Sequence, residues 1–161
     1  MDDHQGENRS RLKADLLAGA ASGVVATFAM SVLMQLGQRC GLLGEQPPRK
    51  VADLVLDRTD ASEGAHRVGT AVVHLGIGAL AGAAQQVARR QTSWPQPSLL
   101  WGGAAGGLLW TVNYFVLAPR SGILPPPPDD RPGRPPVMLA SNVVWGATSA
   151  LLGDRLVRDR L

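Results

Sequence analysis

Four stretches of this chain contain no Asp, Glu, Lys or Arg: Leu16 to Gln38, Val68 to Ala88, Gln91 to Pro119 and Pro135 to Gly153, of 23, 21, 29 and 19 residues. All 16 basic and 13 acidic residues lie outside them. A soluble helix carries charge along its outer face, so four helices without any would leave a soluble bundle no polar surface. In hydrocarbon the same absence is required, because a charge at the bilayer centre costs about 2.5–3.5 kcal/mol even on the mildest scale. The mean hydropathy of +0.01 averages over this segregation and conceals it. Leu16 to Leu36 at about 1.5 Å per residue spans roughly 30 Å, the thickness of a hydrocarbon core. The expected fold is therefore all-α, an integral membrane four-helix bundle with spans at about 16–37, 68–88, 99–118 and 137–153. The last is marginal in length and requires tilt or shielding by its neighbours. The competing reading, a soluble domain of four buried helices, offers nothing to cover them.

The segments between are polar. Residues 1–14 form a polar tail, expected to be disordered or interfacial, and residues 154–161 a short basic one. The first apolar stretch does not read as a signal peptide: Asp2, Asp3, Glu7 and Asp15 stand among its leading cations, and it is too long for an h-region. Cys40 is the single cysteine, so no disulfide can form within the chain. The basic balance comes from arginine-rich loops, which suit the lipid bilayer and its anionic headgroups; no nucleic-acid partner is expected.

In the first loop, Pro47-Pro48 precedes Arg49-Lys50-Val51-Ala52-Asp53-Leu54-Val55, with Val51, Leu54 and Val55 on one face at helical spacing. This predicts a short amphipathic helix, lying on the membrane surface or packed on the bundle. The third loop, Pro119 to Pro136, carries eight prolines and is expected to be extended and stiff. Four spans put both termini on one side. Lys and Arg then divide eight to eight between the two sides, a tie under the positive-inside rule. The paired Arg89-Arg90 of the shortest loop favours cytoplasmic termini in a cell (cytoplasmic) membrane.

The halves resemble each other. Gly19-Ala-Ala-Ser-Gly23 with Thr27 is matched by Gly103-Ala-Ala-Gly-Gly107 with Thr111. The exit Gly41-Leu-Leu is matched by Gly122-Ile-Leu, and His74 with Gly78-Ala79 by Asn142 with Gly146-Ala147. The chain thus reads as two duplicated transmembrane hairpins, a parallel repeat about an axis along the membrane normal. The pairs Gly19/Gly23, Gly78/Gly82, Gly102/Gly106 and Gly103/Gly107 permit close backbone approach. Such strips serve packing within the bundle, or a homo-oligomer or a membrane partner subunit.

His74 is the one residue inside a span that can change charge near neutral pH; Asn113, Asn142, Thr27, Ser31 and Thr111 are the other notable polar groups there. An unpaired polar side chain in hydrocarbon is costly, so each is expected to face the interior. His74, Asn113 and Asn142 form the candidate polar locus, either a hydrogen-bonding anchor or the lining of a small polar cavity. No catalytic residue, cofactor site or metal site is proposed: there is no nucleophile elbow, no histidine pair at metal spacing and no phosphate loop.

The small-residue first helix, Pro47-Pro48-Arg49 before an amphipathic stretch, His74-x-x-x-Gly78 and Asn142-x-x-Trp145-Gly146 together resemble small uncharacterised bacterial membrane proteins of the YagU type. The likeness covers most of the chain beyond residue 15. This chain is shorter and has Asn142 where the last helix of such proteins often has His. The resemblance implies a polytopic inner-membrane protein without an assigned reaction, and no catalytic residues follow from it. The expected role is non-enzymatic, a structural or accessory membrane component. The alternative is a small, oligomeric transporter or channel-like protein using His74 and Asn142.

Overall fold

A computed structural model describes residues 2–43, 62–92, 97–122, 124–125 and 127–158. The surface helix expected near residues 51–58 lies outside the described residues. Those described are helical and turn structure, without a strand among them. Helix α1 is Asp2–Arg39 and α2 is Glu63–Gln91. Helix α3, Ser98–Val112, continues through a π turn, Asn113–Leu117, and a last turn, Ala118–Arg120. Helix α4 is Arg134–Arg158.

The chain runs up, down, up and down. Helix α1 packs along both α2 and α4, and α3 packs along α4, while α2 and α3 touch each other little. Three stretches are long and apolar enough to cross a membrane: Gln5–Arg39, Arg67–Gln91 and Arg134–Arg158. The 15 residues of α3 ahead of the π turn are too few alone, but the whole rod to Arg120 covers roughly 34 Å.

Each terminus has a local cause. Ser62 caps α2 by accepting from the Ala65 amide at 3.3 Å. Helix α4 opens with Pro135-Pro136, which suit a first turn where no intrahelical N–H is needed. Helix α1 ends in a Schellman motif, with Gly41 at φ 72°, Gly41 N–H to Gln38 O at 3.0 Å and Leu42 N–H to Gly37 O at 3.0 Å. The α3 rod ends the same way at Gly122, φ 70°, with its N–H on Pro119 O. The two matched exits therefore fold alike, and each turns a leucine, Leu43 and Leu124, into one apolar cluster with Met34, Tyr114, Ala118 and Met138. The π turn has its cause in Pro119, which has no N–H and crowds the carbonyl four residues back. Widening the turn moves the Ala118 N–H onto Asn113 O.

Two expectations change. The polar residues from Asp2 onward are not a disordered tail but the first turns of α1, exposed from Gln5 to Lys13. The proline loop is not simply extended: Pro127–Asp129 forms a 3₁₀ turn and Leu124 folds inward.

The hairpins close by backbone contact. A Cβ on Gly19 would lie 2.7 Å from Ala83 Cα, and one on Gly82 would lie 2.7 Å from Gly23 Cα. In the second hairpin a Cβ on Gly102 would lie 2.7 Å from Ala150 Cβ, and one on Gly106 would lie 2.8 Å from the Asn142 carbonyl carbon. Gly103, by contrast, has only ordinary contact with Val143 at 3.6 Å, and Gly107 meets Leu139 and Val143 at 4.0 Å. The contact strip of α3 is thus Gly102/Gly106, one residue before the pair matched to Gly19/Gly23 in the sequence. Gly19 corresponds to Gly102, 83 positions on, and Gly82 to Gly146, 64 positions on. The same offsets place Gly78, not His74, at the position of Asn142, and His74 at that of Met138. They also carry Asp15 to Ser98 and Arg90 to Asp154, and both of those pairs are joined.

Candidate functional site

The packing leaves a polar seam between α1, α2 and α4. Of the side chains that are almost completely buried, the largest are Tyr114, Thr27, Ser22, Ser141 and Ser149, every one bearing a hydroxyl. Leu17, Val25, Phe28, Val32, Val72, Ile77, Leu80, Leu108 and Phe115 are exposed, Leu80 by 74%. A soluble bundle has the opposite arrangement. The seam hydroxyls satisfy themselves on their own helices: Thr27 donates to Gly23 O at 2.8 Å, Ser31 to Thr27 O at 2.7 Å and Ser141 to Val137 O at 2.7 Å. Cross-links then tie helix to helix. Trp145 Nε1 donates to Thr27 Oγ1 at 3.2 Å and Gly23 O at 3.3 Å, Ser22 and Ser149 meet at 3.4 Å, and Gln85 Nε2 donates to Gly146 O at 3.0 Å. Gln85 Oε1 is buried with no partner among the described residues.

Ionic groups close both ends of the seam. At the end bearing the chain termini all four helices contribute. Arg90 Nε lies 3.1 Å from Asp15, Arg89 grips Asp154 through Nε at 3.0 Å and Nη2 at 2.9 Å, and Ser98 donates to Asp154 at 2.5 Å. At the other end Asp130, 1% exposed in its side chain, accepts from Tyr114 Oη at 2.9 Å and Arg134 Nη1 at 2.6 Å. Tyr114 is fixed there by stacking on Trp110 at 5.2 Å and by an edge contact with Phe115.

The three residues of the expected locus are not joined to one another by any hydrogen bond. His74 is half-buried and makes no hydrogen bond among the described residues. The register set by Gly19/Gly82 and Gly23/Gly78 puts it level with Thr27. Asn142 is buried, but its Nδ2 turns back to Met138 O at 2.9 Å, so it is satisfied within its own helix. Asn113 is half-buried, and its backbone carbonyl anchors the π turn. Thr111 departs from the expectation that every polar group faces inward: it is exposed, and its hydroxyl donates to Gly107 O at 2.8 Å, which removes the penalty of facing outward.

The residues that sequence reasoning passed over are Ser22, Gln85, Gln86, Ser149 and the ionic pairs. Gln85 and Gln86 stood in a charge-free window as its largest uncharged polar groups, which was a usable signal. Asp15 and Asp154 lay just outside such windows and looked like ordinary flanking charge. Among the described residues no group of three or more His, Cys, Asp or Glu is placed to hold a metal ion. Comparison with family models, curated proteins and solved structures produced no match, so the likeness to YagU-type proteins rests on its motifs alone. Chemically, the seam supplies fixed hydrogen bonds and close helix contact.

Proposed function

We propose that this chain is a polytopic membrane protein whose four helices all cross the bilayer, and that it serves as a structural or accessory component of the cytoplasmic membrane rather than as an enzyme. The observation that carries this is the distribution of polarity: hydroxyls and amides are buried beside the apolar cluster, while Leu, Val and other large apolar side chains are exposed along all four helices. The interior supports the accessory role. Helices that meet carbonyl against glycine at four places leave little room for a substrate between them, and this close approach is the means by which helices associate in lipid. The α3 rod, continued through its π turn, is the fourth span. Both termini are placed on the cytoplasmic side, with kinship to YagU-type inner-membrane proteins as part of the same proposal. Assembly with a further copy or a larger partner is the expected mode of action.

Cysteine labelling tests the four spans. In a Cys40→Ser background, single cysteines replace Phe28, Ile77, Leu108 and Val144, one exposed residue on each helix. In intact membranes all four are expected to resist a water-soluble maleimide and to react once detergent is added. Ready labelling of two or more in membranes overturns the four-span reading.

A second reading, a small oligomeric transporter or channel-like protein using His74 and Asn142, draws on the polar seam and on the unpartnered Gln85 Oε1. It requires a pH-dependent flux in proteoliposomes that His74→Gln abolishes while leaving the melting temperature unchanged.

A further inference from the structure

On the side of the chain termini the structure sorts the described basic residues into two sets. Near the chain termini, Arg89 and Arg90 are turned inward onto Asp154 and Asp15. Those two carboxylates are thereby committed. Arg9, Arg11 and Lys13 on α1 and Arg155 and Arg158 on α4 remain exposed, without an ion pair among the described residues. Helices α1 and α4 run side by side, with Ser22 level with Ser149 and Thr27 with Trp145. Continuing that register puts Arg158 level with Lys13 and Arg155 with Leu16. The five cations therefore form one collar on two adjoining helices. Glu7, one turn outward from Arg11, is the exposed acid described on the same stretch.

The collar sits at a particular depth. Leu12, Leu16 and Leu17 are exposed by 46%, 40% and 61%; Leu12 stands between Arg11 and Lys13, and Leu16 and Leu17 lie one turn further in. Exposed leucines just inward of Arg and Lys suit the boundary between acyl chains and headgroups, where long basic side chains bury their stems and direct their charge outward. Guanidinium groups bind phosphate through paired N–H donors.

We propose that this collar is a binding surface for the headgroups of anionic phospholipids in the leaflet on the side of the chain termini. The inference rests on the membrane reading above and adds to it a lipid class, a leaflet and a set of residues. Because anionic lipid attracts basic segments on the cytoplasmic side, the proposal agrees with cytoplasmic termini.

The test uses the full chain in nanodiscs of equimolar phosphatidylcholine and phosphatidylglycerol, released gently, with the retained lipids counted by native mass spectrometry. Phosphatidylglycerol is expected to exceed phosphatidylcholine by roughly tenfold, the scale of a few near-surface cations. Replacing Arg9, Arg11, Lys13, Arg155 and Arg158 together by Gln should bring that ratio within about twofold of unity. The matching variant at the opposite end, with Arg39, Arg120 and Arg131 changed to Gln, should keep it. All eight positions are exposed, and circular dichroism checks that both variants remain helical. Equal retention of the two lipids by the unaltered protein, or an unchanged preference in the five-site variant, overturns the proposal. Displacement of phosphatidylglycerol by millimolar inorganic phosphate does so as well, since the group recognised would then be a bare phosphate. Failure of the unaltered chain to enter nanodiscs at all removes the membrane reading itself, and that outcome is distinct from an embedded protein without lipid preference.

Discussion

At the scale of single residues, one position separates a glycine that is required from one that is tolerated. A Cβ at Gly106 would press on the backbone of Asn142, whereas Gly107 has side-chain neighbours only at 4.0 Å. Backbone cannot move aside as a side-chain end can. Gly106→Ala should therefore cost about 1–3 kcal/mol, the usual range for overpacking, and Gly107→Ala nothing measurable. Reversible unfolding in mixed micelles reads both, and equal losses would show that the strip had been misplaced by one residue. Trp145 works at the same scale in the other direction. Its ring N–H reaches past the glycine strip to Gly23 and Thr27, so one indole links the two hairpins at the point where α1 and α4 cross.

At the scale of elements, the Pro119 π turn and the loop beyond it act together. The wider turn carries Tyr114, whose hydroxyl finds Asp130, and Asp130 in turn holds Arg134 at the first residue of α4. One carboxylate thus connects the end of α3 to the start of α4. A buried pair that loses one member leaves the other charge uncompensated, at a cost of about 3–5 kcal/mol, whereas replacing both with apolar groups is far milder. Asp130→Ala should lower stability by that order, and adding Arg134→Leu should recover much of the loss. Equal destabilisation by the single and double variants would mean that the pair does not act as a unit. The same element explains why α3 is short by its regular hydrogen bonding and long as a rod: the helix is interrupted in its hydrogen bonding, not in its direction.

At the scale of the whole molecule, the inverted distribution of polarity predicts that the fold depends on an apolar solvent. Exposed Leu, Val and Phe on all four helices give water nothing to solvate. Dilution below the critical micelle concentration should precipitate the protein, as followed by light scattering and loss of helical circular dichroism; a clear, helical monomer in buffer would contradict the membrane proposal. The sequence by itself determined the helices, because exclusion of charge from a stretch of bilayer length is written residue by residue. The matched glycine exits Gly41 and Gly122 were legible for the same reason, since a left-handed turn is a local demand. The register between helices was not. Gly102/Gly106 and Gly103/Gly107 are equivalent along the chain and differ only by about 100° around the helix axis, and which pair meets α4 depends on the partner's surface. For the same reason His74 and Asn142, aligned by motif, are not at equivalent positions: the contact register pairs Asn142 with Gly78 and His74 with Met138. The joining of Asp15 to Arg90, of Arg89 to Asp154 and of Asp130 to Tyr114 and Arg134 was likewise decided by tertiary structure, because these contacts form only where residues far apart in the chain are brought to one level.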